Sequence, residues 1–125
     1  MLVLAEAEYR QGNEAEAEFL YKRLLELDPT MMEAWLDWSY IAFIKGDTEM
    51  AIEMIQEALK IEPDCHQYHY RMVSYLYTVG KTKQAMEHLE MALLLNFEDH
   101  YLLFELSPVL SQIPEILEAI ERNRP

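Results

Sequence analysis

Glycine is almost missing from this chain. It has three in 125 residues, alongside five prolines, two tryptophans and one cysteine. Each shortage excludes something. So little glycine and proline leaves few irregular segments, which is the composition of an ordered, globular chain. A single cysteine cannot close an intrachain disulfide, so nothing asks for an oxidising compartment. No apolar run reaches the roughly 18 to 20 residues that cross a bilayer. The amino end, "MLVLAEAEYR", has too short an apolar run for a secretory signal and no small-residue cleavage pattern. A soluble protein of the cytoplasm is expected. Basic residues are also scarce: ten lysines and arginines face twenty-three carboxylates, for a net charge of −13. Nucleic-acid binding rests on cations that neutralise phosphate, and the few here are scattered from Arg10 to Arg124. Neither nucleic acid nor an anionic membrane surface is an expected partner. A neutral or basic protein segment fits better, although the same acid also simply keeps a helical surface soluble.

What is present is a period. The three glycines are Gly12, Gly46 and Gly80, each 34 residues from the next, and Pro29 and Pro63 keep the same spacing. Ala17, Ala51 and Ala85 share one register, and Ala58 and Ala92 another. This is an internal repeat. Each unit reads as two helices. "MMEAWLDWSYIAFIK" (31–45) sets Ala34, Trp38, Ile41 and Ala42 at helical spacing, and "TEMAIEMIQEALKIEP" does the same with Ala51, Ile55, Ala58 and Leu59. Glycine tolerates the left-handed conformation that ends the first helix, and proline stops the second. Thr30 with Glu33, and Asp64 with Gln67, are spaced as capping boxes at the start of the next unit. One hairpin cannot bury both apolar faces, so it is expected to stack on its neighbours, with alanines letting helix axes approach and Trp35, Trp38, Tyr21 and Leu89 filling the spaces.

The period, the two-helix unit and "AWLDWSYIAFIKGDTEMAIEMIQEALKIEP" resemble the tetratricopeptide repeat family, with its tryptophan at Trp35, glycine at Gly46, close-packed alanines at Ala51 and Ala58, and proline at Pro63. Departures are Ser39 and Val73, where glycine or alanine is common, and Phe97 in place of a closing proline. The resemblance implies an all-α, right-handed superhelical solenoid of helix-turn-helix hairpins. Units are expected at about 1–29, 30–63 and 64–97, with a partial fourth unit and a capping helix in 98–125. Met1 falls three residues into a first helix, so an excerpt of a longer array is expected. At the other end Pro108 and Pro114 suit helix restarts. Ile116, Leu117 and Ile120 then form an apolar stripe under a charged face, as a terminal cap should.

In this family the first helices line a concave surface that receives an extended or helical peptide. Carried over by position, the resemblance gives Glu6, Tyr9 and Arg10 from the first unit. Glu33, Leu36, Asp37, Tyr40 and Phe43 come from the second, and Gln67, Tyr70, Arg71, Ser74 and Tyr77 from the third. Tyrosine and arginine are frequent anchors of binding energy. Tyr9, Phe43 and Tyr77 share one register and serve equally as packing between helices, whereas Tyr40, Tyr70, Asp37 and Arg71 are expected at the surface. One subgroup grips acidic chaperone tails with a clamp of basic and amide side chains. Here those slots hold Leu2, Glu6, Asp37 and Gln67, with only Arg71 basic, and carboxylates there repel a carboxylate ligand. Asp37 and Glu33 suit lysine, arginine or a free amine instead.

No nucleophile elbow, HExxH motif or glycine-rich phosphate loop is present, and the expectation is a binding scaffold or adaptor rather than an enzyme, with no cofactor. The alternative is a structural element that self-associates, as a homodimer, through its repeat faces. "PDCHQYHY" (63–70) would put Cys65, His66 and His69 on one side of a helix, the spacing of a zinc or copper site. Shifted by 34, however, they match Met31, Met32 and Trp35. The register therefore predicts that His69 packs where a tryptophan would, with one ring nitrogen hydrogen-bonded, and no metal is expected.

Overall fold

The computed structural model describes all 125 residues. They form eight α-helices and two short 3₁₀ turns, with no strand, as the all-α expectation requires. Two compact units divide the chain, Met1–Glu62 and Pro63–Pro125. The first holds α1 (Leu2–Arg10), α2 (Glu14–Leu27), α3 (Met32–Ile44) and α4 (Thr48–Ile61). The second holds α5 (His66–Thr78), α6 (Thr82–Leu95), α7 (Tyr101–Leu106) and α8 (Pro114–Arg122), with 3₁₀ turns at Glu98–His100 and Pro108–Gln112. The bounds of α2, α4 and α6 are offset by 34 residues at both ends, and so are those of α3 and α5.

The hairpin turns have a common cause. Helix α3 closes when Gly46, at φ 91°, turns the chain so that Gly46 N–H donates to the Phe43 carbonyl (3.1 Å) and Asp47 N–H to the Ala42 carbonyl (2.9 Å). These two bonds satisfy helix-end carbonyls that would otherwise lack partners, and they need the left-handed residue in between. Asp47 then serves the next helix too, its carboxylate accepting from Met50 N–H at 3.3 Å to cap α4. The same six-residue closure recurs from Asn13 N–H to the Glu8 carbonyl and from Lys81 N–H to the Leu76 carbonyl.

Where hairpin follows hairpin, the expected capping boxes do not form. Helix α3 is preceded by Met31 and α5 by Cys65, and neither is capped by a side chain. The Thr30 hydroxyl instead donates to the Asp28 carboxylate at 2.6 Å, and Thr30 N–H donates to the same oxygen at 3.0 Å. That local turn is available because Asp28 precedes the proline that has already ended α2, so the threonine is spent before the helix starts.

The core of the first unit gathers Ala5, Ala17, Leu20, Tyr21, Leu24, Leu25, Ala34 and Ile41, with Trp35 and Trp38 packed against it. Ala5, Ala17 and Ala34 are essentially sealed, so α1, α2 and α3 each turn a small side chain into this core. Burying each leucine or isoleucine contributes about 1.5–3 kcal/mol, offset by the cost of ordering the chain. In the second unit α5 is buried almost all round from Tyr68 to Leu76. Ser39 and Val73, at the small-residue slots, are both sealed, and the Ser39 hydroxyl donates to the Leu36 carbonyl at 3.1 Å.

The end of the chain restarts twice, as its prolines predict: Pro108 opens a 3₁₀ turn and Pro114 opens α8. The buried arc of α8 is Ile116, Ala119 and Ile120. Leu117, expected in that stripe, is instead exposed, because one residue further round the helix turns it about 100° away from Ile116. Arg122 and Asn123 both reach Glu90 on α6, and the Arg124 guanidinium lies 5.4 Å from the centre of the Phe97 ring. Phe97, standing where a proline would close the unit, thus gives the chain end a surface to pack on. No helix is long and apolar enough to cross a membrane.

Candidate functional site

A groove of about 400 Å³ opens on the first unit, lined by Glu6, Tyr9, Arg10, Tyr21, Asp37, Tyr40, Ile41 and Ile44. Helices α1 and α3 supply most of it. Their residues 6, 9 and 10 and 37, 40, 41 and 44 recur at three- and four-residue spacing, which puts each set on one helix face. Five of the residues expected at a binding surface are brought together here: Glu6, Tyr9, Arg10, Asp37 and Tyr40. Glu33, Leu36 and Phe43 do not line the groove, though the Phe43 ring stands 6.3 Å from that of Tyr40.

Three lining residues lie outside the sequence expectation: Tyr21, Ile41 and Ile44. Tyr21 comes from α2, a second helix, and its ring belongs to the core. Only its setting betrays the groove. Burial first, then the carboxylates of Asp37 and Glu6, push its hydroxyl above the ordinary tyrosine range, while Arg10 pulls the other way. Two carboxylates therefore act on the phenol from across the groove. Arg10 and Glu6 form an exposed pair at 3.6 Å, of the kind that holds side chains loosely. The wall is mixed: tyrosine rings and isoleucines give apolar area, and the carboxylates give a negative potential.

On α5 the placement is different. Tyr70, expected at the surface, is only 2% exposed, and its hydroxyl donates to the Asn96 carbonyl at 2.7 Å. Its position between α5 and the end of α6 is fixed by that carbonyl, left open where α6 stops. Ser74 is also buried, its hydroxyl against that of Ser107. Tyr77 is half-buried and donates to the Glu115 carboxylate. Burial, then that carboxylate, pushes its phenol up to about 12. Arg71 is half-buried and donates to the Tyr75 hydroxyl at 3.3 Å, and Gln67 is half-buried at the start of the helix. Tyr70 and Ser74 are thus interior packing: Tyr70 is held at the end of α6, and Ser74 meets Ser107, which ends α7, and a sequence register alone does not show what covers a helix face.

The histidine-rich stretch resolves into separate contacts. Cys65 Sγ–H donates to the Gln67 side chain, and His66 Nε2 lies 2.7 Å from the Asp99 carboxylate. His69 is buried in the tryptophan slot, its Nε2 2.7 Å from the Pro63 carbonyl and its Nδ1 2.9 Å from Nδ1 of His88. His69 thus packs in the slot that the register predicts, but both of its ring nitrogens are engaged where one was expected. No group of three or more His, Cys, Asp and Glu side chains is placed to hold a metal ion.

Comparison with known proteins agrees with this architecture. Two family models described as tetratricopeptide repeat match the chain, one over residues 1–41 and one over 33–65. A TPR repeat-containing thioredoxin of Arabidopsis thaliana, TTL4, is 31% identical over 81 residues, which is 65% of this chain and 12% of that protein. The chain thus spans a small part of the curated relative it matches. The crystal structure of MamA shares the fold with a TM-score of 0.68 at 20% identity, over 95% of this chain and 71% of that one. The 34-residue period, the glycine-closed hairpins and these matches have one explanation: the chain belongs to the tetratricopeptide repeat family.

Proposed function

We propose that this protein is a non-catalytic interaction scaffold whose first-unit groove receives a neutral or basic protein segment. The observation that carries the reading is the groove wall, where Tyr9 and Tyr40 stand beside Glu6 and Asp37. Tyrosines offer contact area at low entropy cost. The carboxylates favour a segment bearing lysine, arginine or a free amine and disfavour an acidic tail. The first unit supports this choice as a whole, with fourteen carboxylates against five lysines and arginines. A soluble, cytoplasmic setting without nucleic-acid or membrane partners belongs to the same reading.

The test is capture with a photo-crosslinking amino acid at position 40, compared between the parent and an Asp37→Asn, Glu6→Gln variant. Crosslinks to basic segments that fade in the variant support the groove. Equal capture by both would remove it.

A second reading has its own observation. Val3 is 78% exposed, Phe19 61% and Leu4 50%, all in the first unit. Scattered apolar exposure is ordinary, but exposed apolar side chains are also what a self-association surface would draw on. Size measured across a range of concentrations separates the two readings: a symmetric dimer lost on Val3→Glu favours self-association, and a concentration-independent monomer excludes it.

A further inference from the structure

The two histidines in contact, His69 on α5 and His88 on α6, constrain each other's protons. The Pro63 carbonyl can only accept, so His69 must carry its proton on Nε2 to make the 2.7 Å bond. A neutral His69 then presents a bare Nδ1. His88 lies 2.9 Å away through its own Nδ1 and must be the donor. The rings face each other with centres 5.2 Å apart. One arrangement of protons satisfies all three atoms, and it requires His69 to be neutral with its bare Nδ1 facing the His88 donor.

An added proton breaks it. On His69 it would occupy Nδ1 and oppose the N–H of His88. On His88 it would sit on Nε2 and leave the Nδ1–H donor in place, but it would put a cation in a covered site against the His69 ring. Burial, then the neighbouring His69, lowers the His88 pKa to about 4. Several charged groups of these elements have partners of their own. On the same helices Arg71 donates to Tyr75, and Glu90 holds Arg122 and Asn123 of the chain end. Asp99 of the 3₁₀ turn takes His66, and His100 Nδ1 lies against the Phe97 carbonyl. Glu115 of α8 takes Tyr77, and Arg124 pairs with Glu121. Of these groups, the His69 ring is the one that adds to burial in lowering the His88 pKa.

We propose that the His69–His88 contact is an acid-released latch in the second unit, tying α5 to α6 when both rings are neutral and opening when either takes up a proton. The first unit has Trp35 in the same slot, making the same bond to Pro29 with a ring that cannot titrate. Mild acid would then loosen one unit and spare the other. This stands apart from the groove reading and does not depend on it.

The experiment is nitrogen-detected NMR of the histidine rings, with amide exchange along α5 and α6 from pH 7.5 to pH 5, corrected for the intrinsic pH dependence of exchange. The expected tautomers are Nε2–H on His69 and Nδ1–H on His88. Opening of the hairpin should rise on the order of 10-fold over that range. His69→Trp restores the register residue and should flatten the response. His88→Gln keeps an N–H donor for His69 without a titrating ring, and should flatten it too. The Gln variant serves if the tryptophan does not fit. An Nε2–H tautomer on His88 at pH 7.5 overturns the proposal. So does a response as steep in the folded variants as in the parent.

Discussion

Trp35 and His69 stand 34 residues apart and make the same hydrogen bond. Trp35 Nε1–H donates to the Pro29 carbonyl at 2.9 Å, and His69 Nε2–H to the Pro63 carbonyl at 2.7 Å. Each ring ties the opening turn of a helix to the proline that ended the previous one. Two different residue types thus hold one structural position, because both offer a flat ring with an N–H at its rim.

Trp35→Phe keeps most of the ring and removes that donor, so it should cost about 0.5–1.5 kcal/mol by urea denaturation. Trp38→Phe is the control, since the Trp38 Nε1–H is buried without a hydrogen-bond partner. Losing an unpaired donor offsets part of the lost area, and Trp38→Phe should therefore be the milder change. The reverse order would contradict the role given to the Trp35 bond.

Gly46→Ala should destabilise by about 1–2 kcal/mol. An added Cβ at Gly46 meets nothing within 4 Å, so the cost is the backbone conformation at φ 91° alone. Gly46→Asn should recover part of the loss, because asparagine tolerates that region better. A thermal melt on the two variants distinguishes strain from clash.

Asp47→Ala removes the one side-chain cap that the first unit's helices make and should cost about 1 kcal/mol. Thr30→Ala should leave the start of α3 intact by circular dichroism, because Thr30 is bonded back to Asp28 and not forward to the helix.

Alkaline pH should loosen the second unit through Tyr77. Its folded pKa is raised to about 12 from an ordinary 10.0. The stability this contributes is complete below pH 10 and is lost as pH rises towards 12. Tyr77→Phe should lower the melting temperature at pH 8 and reduce its further fall above pH 10.

Tyr40→Ala should cost about 1 kcal/mol of stability, since Tyr40 is 39% exposed and the rest of it is covered. On the proposed function it should weaken capture of a basic segment by about 10-fold. Unchanged affinity, measured by fluorescence anisotropy, would place binding elsewhere.

The linear sequence determined a great deal here. Gly12, Gly46 and Gly80 mark hairpin turns because closing a helix with two carbonyl bonds needs a left-handed residue, and that is a local requirement. The slot of His69 was legible too, since a repeat makes each unit a template for the next. Tertiary structure decided what covers each face. Tyr70 and Ser74 carry the register of a binding surface, yet Tyr70 bonds the Asn96 carbonyl at the end of α6, and Ser74 packs against Ser107, beyond the last full unit. Tyr21 belongs to the groove because α2 packs beside α1 and α3, and Thr30 caps nothing because Asp28 reaches it first. Periodicity fixes which residues share a helix face; burial, partners and proton positions depend on which other element lies against that face in space.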